Sequence, residues 1–301
     1  MTDPGGLVRT HRQPLVDGRG VLPHRGRRRP PYGRVAVYIT LAILAATFAA
    51  PFGWMVSTSL KTGPQAIATP PVWIPDPWVL GNYVDALTKI NFPLALRNSL
   101  IYAIPAVVGT VMSCSLVAYG FARIRWPGRD LVFIVLLATM MLPGQVTFIP
   151  LYVIYAKLGW VGTFLPLLVP TFLGNPFFIF LLRQFFLGIP SELSEAARID
   201  GASELRILTR IIVPLSWPAI ITVGLFTFID KWTDFFGPLV YLQDRDLQPL
   251  SLAVQTFQSA HKTDWPLSMA ASVAITVPLI VLYFFAQRKF IEGIQITGLK
   301  G

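Results

Sequence analysis

The sequence predicts an all-α membrane protein with six transmembrane helices. Composition is the first observation: of 301 residues, 53% are hydrophobic and 13% charged, with a mean hydropathy of +0.58. That charged fraction is about half the usual soluble value. The second is length. Six apolar segments, at 35–58, 98–122, 131–155, 163–187, 214–238 and 267–287, each approach the roughly 20 residues needed to cross a bilayer core. The third is where the charges fall, since they collect between these segments and at the ends of the chain.

Residues 1–33 are rich in Gly, Pro and Arg and carry neither a helical nor a strand period. They read as a disordered basic tail whose Arg25, Arg27, Arg28 and Arg29, with Arg34, meet anionic lipid headgroups and keep the N-terminus in the cytosol. The following apolar run is too long for a signal-peptide core and lacks a small-residue cleavage site, so no cleavable signal is expected. Residues 34–301 then form one transmembrane domain.

The spans contain Pro51, Pro105, Pro143, Pro150, Pro170, Pro176 and Pro278, so kinks are expected, with the freed carbonyls satisfied inside a bundle. From Pro143 to Pro170 the apolar character is nearly continuous, which leaves the border between spans three and four poorly marked. Of the 25 Lys and Arg residues, eighteen fall on the side that holds both termini and seven on the other. The positive-inside bias therefore places both termini in the cytosol. In the first outer loop, 59–97, Trp73 and Trp78 suit the headgroup region and Asn82 suits the cap of a short helix.

Between spans four and five lies the most charged internal stretch, 190–218, with Glu192, Glu195, Arg198, Asp200, Glu204, Arg206 and Arg210. At the bilayer centre each such charge costs roughly +2.5 to +3.5 kcal/mol, so the stretch stays outside the membrane. Its pattern is helical. Ser191 suits the cap of a first helix, and Gly201 the left-handed residue that ends it. Ser203 suits the cap of a second, with Leu205, Leu208, Ile211 and Ile212 on one face before Pro214 interrupts. Ala196 and Ala197 expose almost no side chain, so another surface can approach the backbone. From spacing alone, an amphipathic helix lying on the bilayer fits as well as a docking knob.

These residues carry a resemblance. Glu195-Ala196-Ala197, three residues, Gly201, nine residues, then Ile211-x-x-Pro214 resembles the EAA signature loop of the membrane subunits of ABC importers. Val213 stands where that family usually has Leu. The longer EAARIDGAS, which includes Asp200, is similar to the sugar-importer branch, the maltose-type and glycerol-phosphate-type permeases. So are Asn98-Ser99-Leu100, AYGFARIRWPGRD (118–130), MLPGQVTFIPLY (141–152), Trp265, Gln287-Arg288 and the closing GLKG. The likeness covers about 35–301. It implies a cytosolic two-helix EAA coupling loop between spans four and five, with Glu195, Ala196, Ala197, Asp200, Gly201, Ile211 and Pro214 docking into an ATPase subunit.

It further implies a second permease chain, two ATP-binding subunits carrying ATP and Mg, and an extracytoplasmic solute-binding protein. The last of these faces the outer loops, including 243–266, for which a solvated linker is the alternative. The setting implied is the cytoplasmic membrane of a bacterium or archaeon. The solute implied is a sugar or oligosaccharide, with glycerol phosphate as the alternative within the same assembly.

The ionisable residues deepest in apolar surroundings are Asp230, Lys231 and Asp234, in FIDKWTDFFGP. Such groups often mark a solute pathway. Asp230 and Asp234 are four apart and share a helix face, and Lys231 can pair with Asp234. A pathway through Asp230, Trp232, Thr233 and Asp234 is one reading, and an interfacial helix end with Trp232 in the aromatic belt is the other. Sugar permeases typically have Asn after this Trp, where this chain has Thr233.

No Gly-rich phosphate loop of the G-x-x-x-x-G-K-[ST] kind is present, so ATP hydrolysis is left to partners and the chain is not expected to be an enzyme or to hold a cofactor. His11, His24 and His261 are scattered, which indicates no metal site. Cys114 is a lone cysteine in an apolar segment, so no disulfide framework exists. The aromatics are not interleaved with the basic residues, against nucleic-acid binding. Ser99, Ser113, Ser115 and Ser272 have no intramembrane His to activate them and suit interhelical hydrogen bonds rather than hydrolysis. The competing class is an ion-coupled secondary transporter using Asp230 and Asp234; such carriers usually carry internal repeats, and none is convincing here.

Overall fold

The structure, a computed structural model, describes residues 31–258 and 263–298. Most of the basic tail, His261, Lys262 and the last three residues lie outside the described residues. Two compact units are present, one ending at Ala50 and the other beginning at Pro51. The first contains the N-terminal part of α1 (Pro31–Ser59), whose apolar side chains from Val35 to Phe48 are exposed. Everything below belongs to the second.

That unit is helical, and among its described residues the only non-helical pairing is an isolated bridge between Gln258 and Thr263. After α1 come α2 (Gly81–Lys89), α3 (Phe92–Arg123), α4 (Arg129–Thr139) and α5 (Gly144–Lys157). A short turn at Leu165–Leu168 and a 3-10 turn at Val169–Leu173 lead into α6 (Pro176–Leu187). The charged stretch gives α7 (Ser191–Ile199) and α8 (Glu204–Leu215). The long α9 (Trp217–Thr233), the short α10 (Phe236–Tyr241) and α11 (Trp265–Gly298) complete the chain. Among the described residues, four helical stretches (Val35–Ser59, Phe92–Arg123, Leu165–Leu187 and Trp265–Phe285) are long and apolar enough to span a membrane, or up to six if each of two bent pairs counts as one span.

The bent pairs are where the expected spans need correction. The third is not continuous: α4 and α5 meet at 95°, with Pro143 in extended conformation between them. Proline removes a donor and disfavours helix for its predecessor, so an apolar run that crosses it still breaks. The fifth begins at Trp217, because the chain turns by 85° at Ser216 and not at Pro214. Pro214 lies in the last turn of α8, directly after the π-turn Leu208–Ile212.

The long helix α3 is the centre of the unit, packed against α6, α9 and the 3-10 turn. Its buried positions are mostly small: Ala95, Ser99, Ala103, Ala106, Gly109, Ser113, Cys114, Ala118 and Ala122. Small residues let helix backbones approach closely where lipid provides no hydrophobic drive. At Gly109 the need is literal, since a Cβ there would lie 2.8 Å from the Phe172 ring and from Thr171 Oγ1.

Serine hydroxyls bond across elements at two of the four positions expected. Ser113 donates to the Thr171 carbonyl at 3.0 Å and Ser99 accepts from the Leu250 amide at 2.8 Å. Ser272 bonds within its own helix, and Ser115 has no partner. Asn82 is not a cap: it lies inside α2 and its amide donates to the Ser59 and Lys61 carbonyls, both at 2.9 Å. Lys61 is buried with its ammonium 3.8 Å from the centre of the Trp54 ring, and burial pushes its pKa down.

Candidate functional site

Two places carry chemistry, and α3 reaches both. The first is the elbow of α7 and α8. Ser191 is the first helical residue of α7 rather than its cap, a place taken by Pro190, whose extended backbone starts the helix. The far end of α7 closes as a Schellman motif: the Ala202 amide donates to the Ala197 carbonyl at 2.9 Å and the Gly201 amide to the Arg198 carbonyl at 3.0 Å. This requires Gly201 at φ +77°, the left-handed region expected from sequence. Ser203 caps α8 by accepting from the Arg206 amide.

Within α8 the turn Leu208–Ile212 widens into a π-helix, which alters the face that the 3.6-residue period assigns. Ile207, Leu208 and Ile212 are buried, Ile211 is half-buried, and Leu205 is 61% exposed, a correction to the single-face assignment.

Charge ties the elbow to the bundle. Arg198 grips Glu204 with two hydrogen bonds of 2.7 and 3.2 Å, and Glu204 also accepts from the Tyr119 hydroxyl at the end of α3. The Arg198 hydrogen bond holds the Glu204 carboxyl below its ordinary pKa, and Glu204 raises that of the guanidinium in return. Arg123 donates to the Phe186 carbonyl at 2.6 Å and also to that of Ile189, satisfying the last turn of α6. The same region encloses a cleft of about 510 Å³ lined by Arg123, Arg125, Arg129, Ser194 and Glu195.

On the outer surface of the elbow, Glu195, Ala196, Asp200, Gly201 and Pro214 are exposed and Ala197 half-buried. Ile199, which the motif reading passed over, is 87% exposed at the turn.

The second place is a cavity of about 760 Å³ between α3, the turn before α6, and α9. Asp230, Lys231 and Asp234 line it with Tyr102, Thr110, Thr227 and the rings of Phe177, Phe178 and Phe226. Lys231 pairs with Asp230 at 2.9 Å, not with Asp234. Helix α9 ends at Thr233, so Asp234 leaves the helical face and turns its carboxylate to Tyr102, whose hydroxyl donates at 2.6 Å, and to the Gly237 amide at 3.0 Å.

The other two pathway candidates do not line this cavity. Trp232 is buried, stacked on Phe228, and its indole donates to the Ile275 carbonyl of α11 at 3.1 Å. That contact also removes it from an aromatic belt. Thr233 spends its hydroxyl on the Ile229 carbonyl at 2.7 Å. Tyr102 and Thr227 went unmarked in the sequence, because a tyrosine and a threonine in apolar helices carry no signal until the fold brings them beside the carboxylates.

Residues 109–295 match the family described as binding-protein-dependent transport system inner membrane component. The chain belongs to this family. It is 41% identical over 224 residues to the osmoprotective compounds uptake permease protein of Synechocystis sp., covering 73% of this chain and 75% of that one. To the trehalose/maltose transport system permease protein of Thermococcus litoralis it is 34% identical, covering 89% and 97%. Among solved structures, a bacterial ABC transporter involved in the import of the acidic polysaccharide alginate superposes with a TM-score of 0.76 at 25% identity, covering 89% of this chain and all of that one. The sequence resemblance thus holds: this is an inner membrane component of the binding-protein-dependent family, a multi-pass membrane protein. The ion-coupled carrier reading has no support from these relatives.

Proposed function

We propose that the chain is the translocating subunit of an ATP-driven importer for a sugar or oligosaccharide. An extracytoplasmic solute-binding protein delivers the solute to the outer loops, including 243–266. Two partner ATPase subunits, holding ATP and Mg, grip the elbow at 190–218 through Glu195, Ala196, Ala197, Asp200 and Gly201, with Ile211 and Pro214 as its frame. A second permease, a different chain, completes the pathway past Asp230 and Asp234. The bent pair α4–α5 counts as one span and α9 as the span that follows the elbow, giving six, with both termini and the EAA loop in the cytosol of a bacterium or archaeon. Residues 34–301 act as the permease domain and the basic residues of 1–33 lie on anionic lipid.

The observation that carries this reading is the elbow itself. Its inner side is tied to α3 by Tyr119, and Arg123 holds α3 to the end of α6 just before the elbow, while its outer side presents Ala196 and Ile199 to a partner. A surface so held transmits a push where a loose loop would absorb it. The test is isolation of the assembly from native membranes with Ala196→Cys in this chain. Cross-linking captures a nucleotide-hydrolysing subunit, and ATP hydrolysis rises with a solute-loaded binding protein. An active assembly in which Ala196→Cys never captures that subunit refutes the reading.

A further inference from the structure

We propose that the arginine-lined cleft at the turn between α3 and α4 binds the phosphodiester headgroup of an anionic phospholipid, beside the elbow. The inference takes from the importer reading only that this turn faces the cytosol, and it adds a ligand distinct from both the solute and the ATPase.

The turn 124–128 joins two apolar helices, so it lies at the membrane surface. Two clefts open on it and share Arg125 and Arg129. The larger is the cleft that reaches Ser191 and Arg198 of α7. The smaller, of about 320 Å³, is lined by Arg125, Trp126, Gly128, Arg129, Asp130 and Leu131. The chain turns at Gly128, φ +82°, which brings Arg125 and Arg129 to the same cleft.

Positive charge is in excess here. Arg198 is held by Glu204, and Arg129 reaches Asp130 at 3.1 Å. Arg125 is exposed and makes no hydrogen bond or ion pair among the described residues. Arg123 donates to the Phe186 and Ile189 carbonyls and Arg183 to that of Phe121, so neither charge meets a carboxylate. The Arg183 guanidinium lies over the Phe133 ring of α4, 4.1 Å from its centre. Of the three carboxylates that line the two clefts, only Glu195 is outside an ion pair. A phosphodiester accepts from several guanidinium donors at once, in a geometry that Arg matches.

The opposite edge commits the site to a lipid. Leu131 borders the small cleft and is 67% exposed, and Ile134 and Val135, three and four residues on, continue that bare apolar face along α4. Trp126 stands on the rim with part of its ring exposed. A headgroup held by Arg125 and Arg129 leaves its acyl chains against this face. Inorganic phosphate uses the guanidinium end alone, and an acidic peptide gains nothing from an apolar wall that runs into the bilayer. Basic pockets between membrane helices on the cytosolic side suit acidic headgroups for the same reason.

Native mass spectrometry of the solubilised assembly, titrated with phosphatidylglycerol, phosphatidylcholine or inorganic phosphate, tests this. Phosphatidylglycerol should bind at least about tenfold more tightly than phosphatidylcholine at one site per copy of this chain. Arg125→Gln should weaken that site about tenfold, as the loss of one charge-assisted contact predicts, and Arg125→Lys should largely keep it. The basic tail is the same in all three forms, so the difference isolates the cleft. Quenching by phosphatidylglycerol brominated high on its acyl chains, read as wild type minus Trp126→Phe, should fall with Arg125→Gln as well. Equal retention by wild type and R125Q, no preference for phosphatidylglycerol, or its displacement by inorganic phosphate overturns the site. Loss of the ATPase from R125Q with its phosphatidylglycerol retained also overturns it and gives the cleft to an acidic segment of that partner. The titration can be read on this chain whether or not an ATPase accompanies it, so the importer reading and the lipid site fail separately.

Discussion

Gly201 offers the sharpest test of the elbow, because its substitution separates backbone shape from surface contact. The residue holds φ +77°, and a Cβ built there meets nothing within 4 Å, so alanine brings no clash from this chain. What alanine does bring is an L-residue in the left-handed region, at a cost of about 1–2 kcal/mol. Since 1.4 kcal/mol is about a factor of ten, the closed Schellman turn loses roughly 5- to 30-fold in population against forms in which α7 frays. Fraying undoes the bonds to Ala197 and Arg198 and frees Arg198 from Glu204.

Asparagine enters the left-handed region more readily than alanine, and valine, being β-branched, least. The expected order of coupling, read as solute transported per ATP hydrolysed in proteoliposomes, is Gly ≥ Asn > Ala > Val. Equal losses in all three variants would mean that the elbow fails by collision with a partner and that its backbone conformation is irrelevant. Three variants indistinguishable from wild type would remove the elbow from the coupling path.

Three further outcomes are expected. Gly237→Ala places a Cβ 2.6 Å from Asp234 Oδ2 and 2.9 Å from Leu167 Cδ2, so the carboxylate must move away from Tyr102; transport should fall at least about tenfold, matching Tyr102→Phe, with the assembly still isolated intact. Glu204→Gln should loosen the elbow at neutral pH by no more than about 1 kcal/mol, the pair being half-exposed. Because the folded pKa of Glu204 is depressed, its contribution is present above the ordinary glutamate pKa and is lost as pH falls through the lowered value. Hydrogen exchange across 191–212 should therefore separate the variant from wild type at neutral pH and converge on the acid side. Asn98→Ala orphans the Asp246 and Gln248 carbonyls now held at 2.7 and 3.2 Å, and should lower thermal stability by about 1–3 kcal/mol.

What could be read from the residues was whatever depends on near neighbours. The charge density of 190–218 set it apart from the apolar segments, and Gly201 and Ser203 marked the end of its first helix and the start of its second, because caps and left-handed turns are set within four or five positions. The same reasoning misplaced Ser191 and Asn82 by a position or two, since a polar residue beside a helix start can cap it or be drawn into a tertiary bond, as Asn82 is. The π-turn at Leu208–Ile212 could not be seen in a 3.6-residue period. The break at Pro143 was blurred by apolar residues on both sides. Pairing across the bundle was out of reach: Lys231 has Asp230 one residue before it and Asp234 three after, and only Tyr102, 132 residues from Asp234, decides which carboxylate is engaged elsewhere.

The elbow and the cavity share two rods. Helix α3 gives Tyr119 and Arg123 to the elbow side and Tyr102 to the cavity, while α9 starts at the Ser216 bend and ends beside Asp234. Over 17 residues α9 is about 25 Å long, and neither rod can shorten. The cavity end of α9 is pinned, with the Trp232 indole bonded to α11 and the Ser251 hydroxyl donating to the Asp234 carbonyl at 2.6 Å. The elbow end is not pinned in this way. There the chain turns by 85° at a buried serine whose hydroxyl has no partner, directly after a widened π-turn. On the proposed coupling, a load applied to α7 would be absorbed at Ser216 or carried along α3, and the Tyr119–Glu204–Arg198 chain would decide between the two. With that chain closed, the elbow and α3 would move as one body, and the Tyr102 hydroxyl would move with respect to the carboxylate it holds.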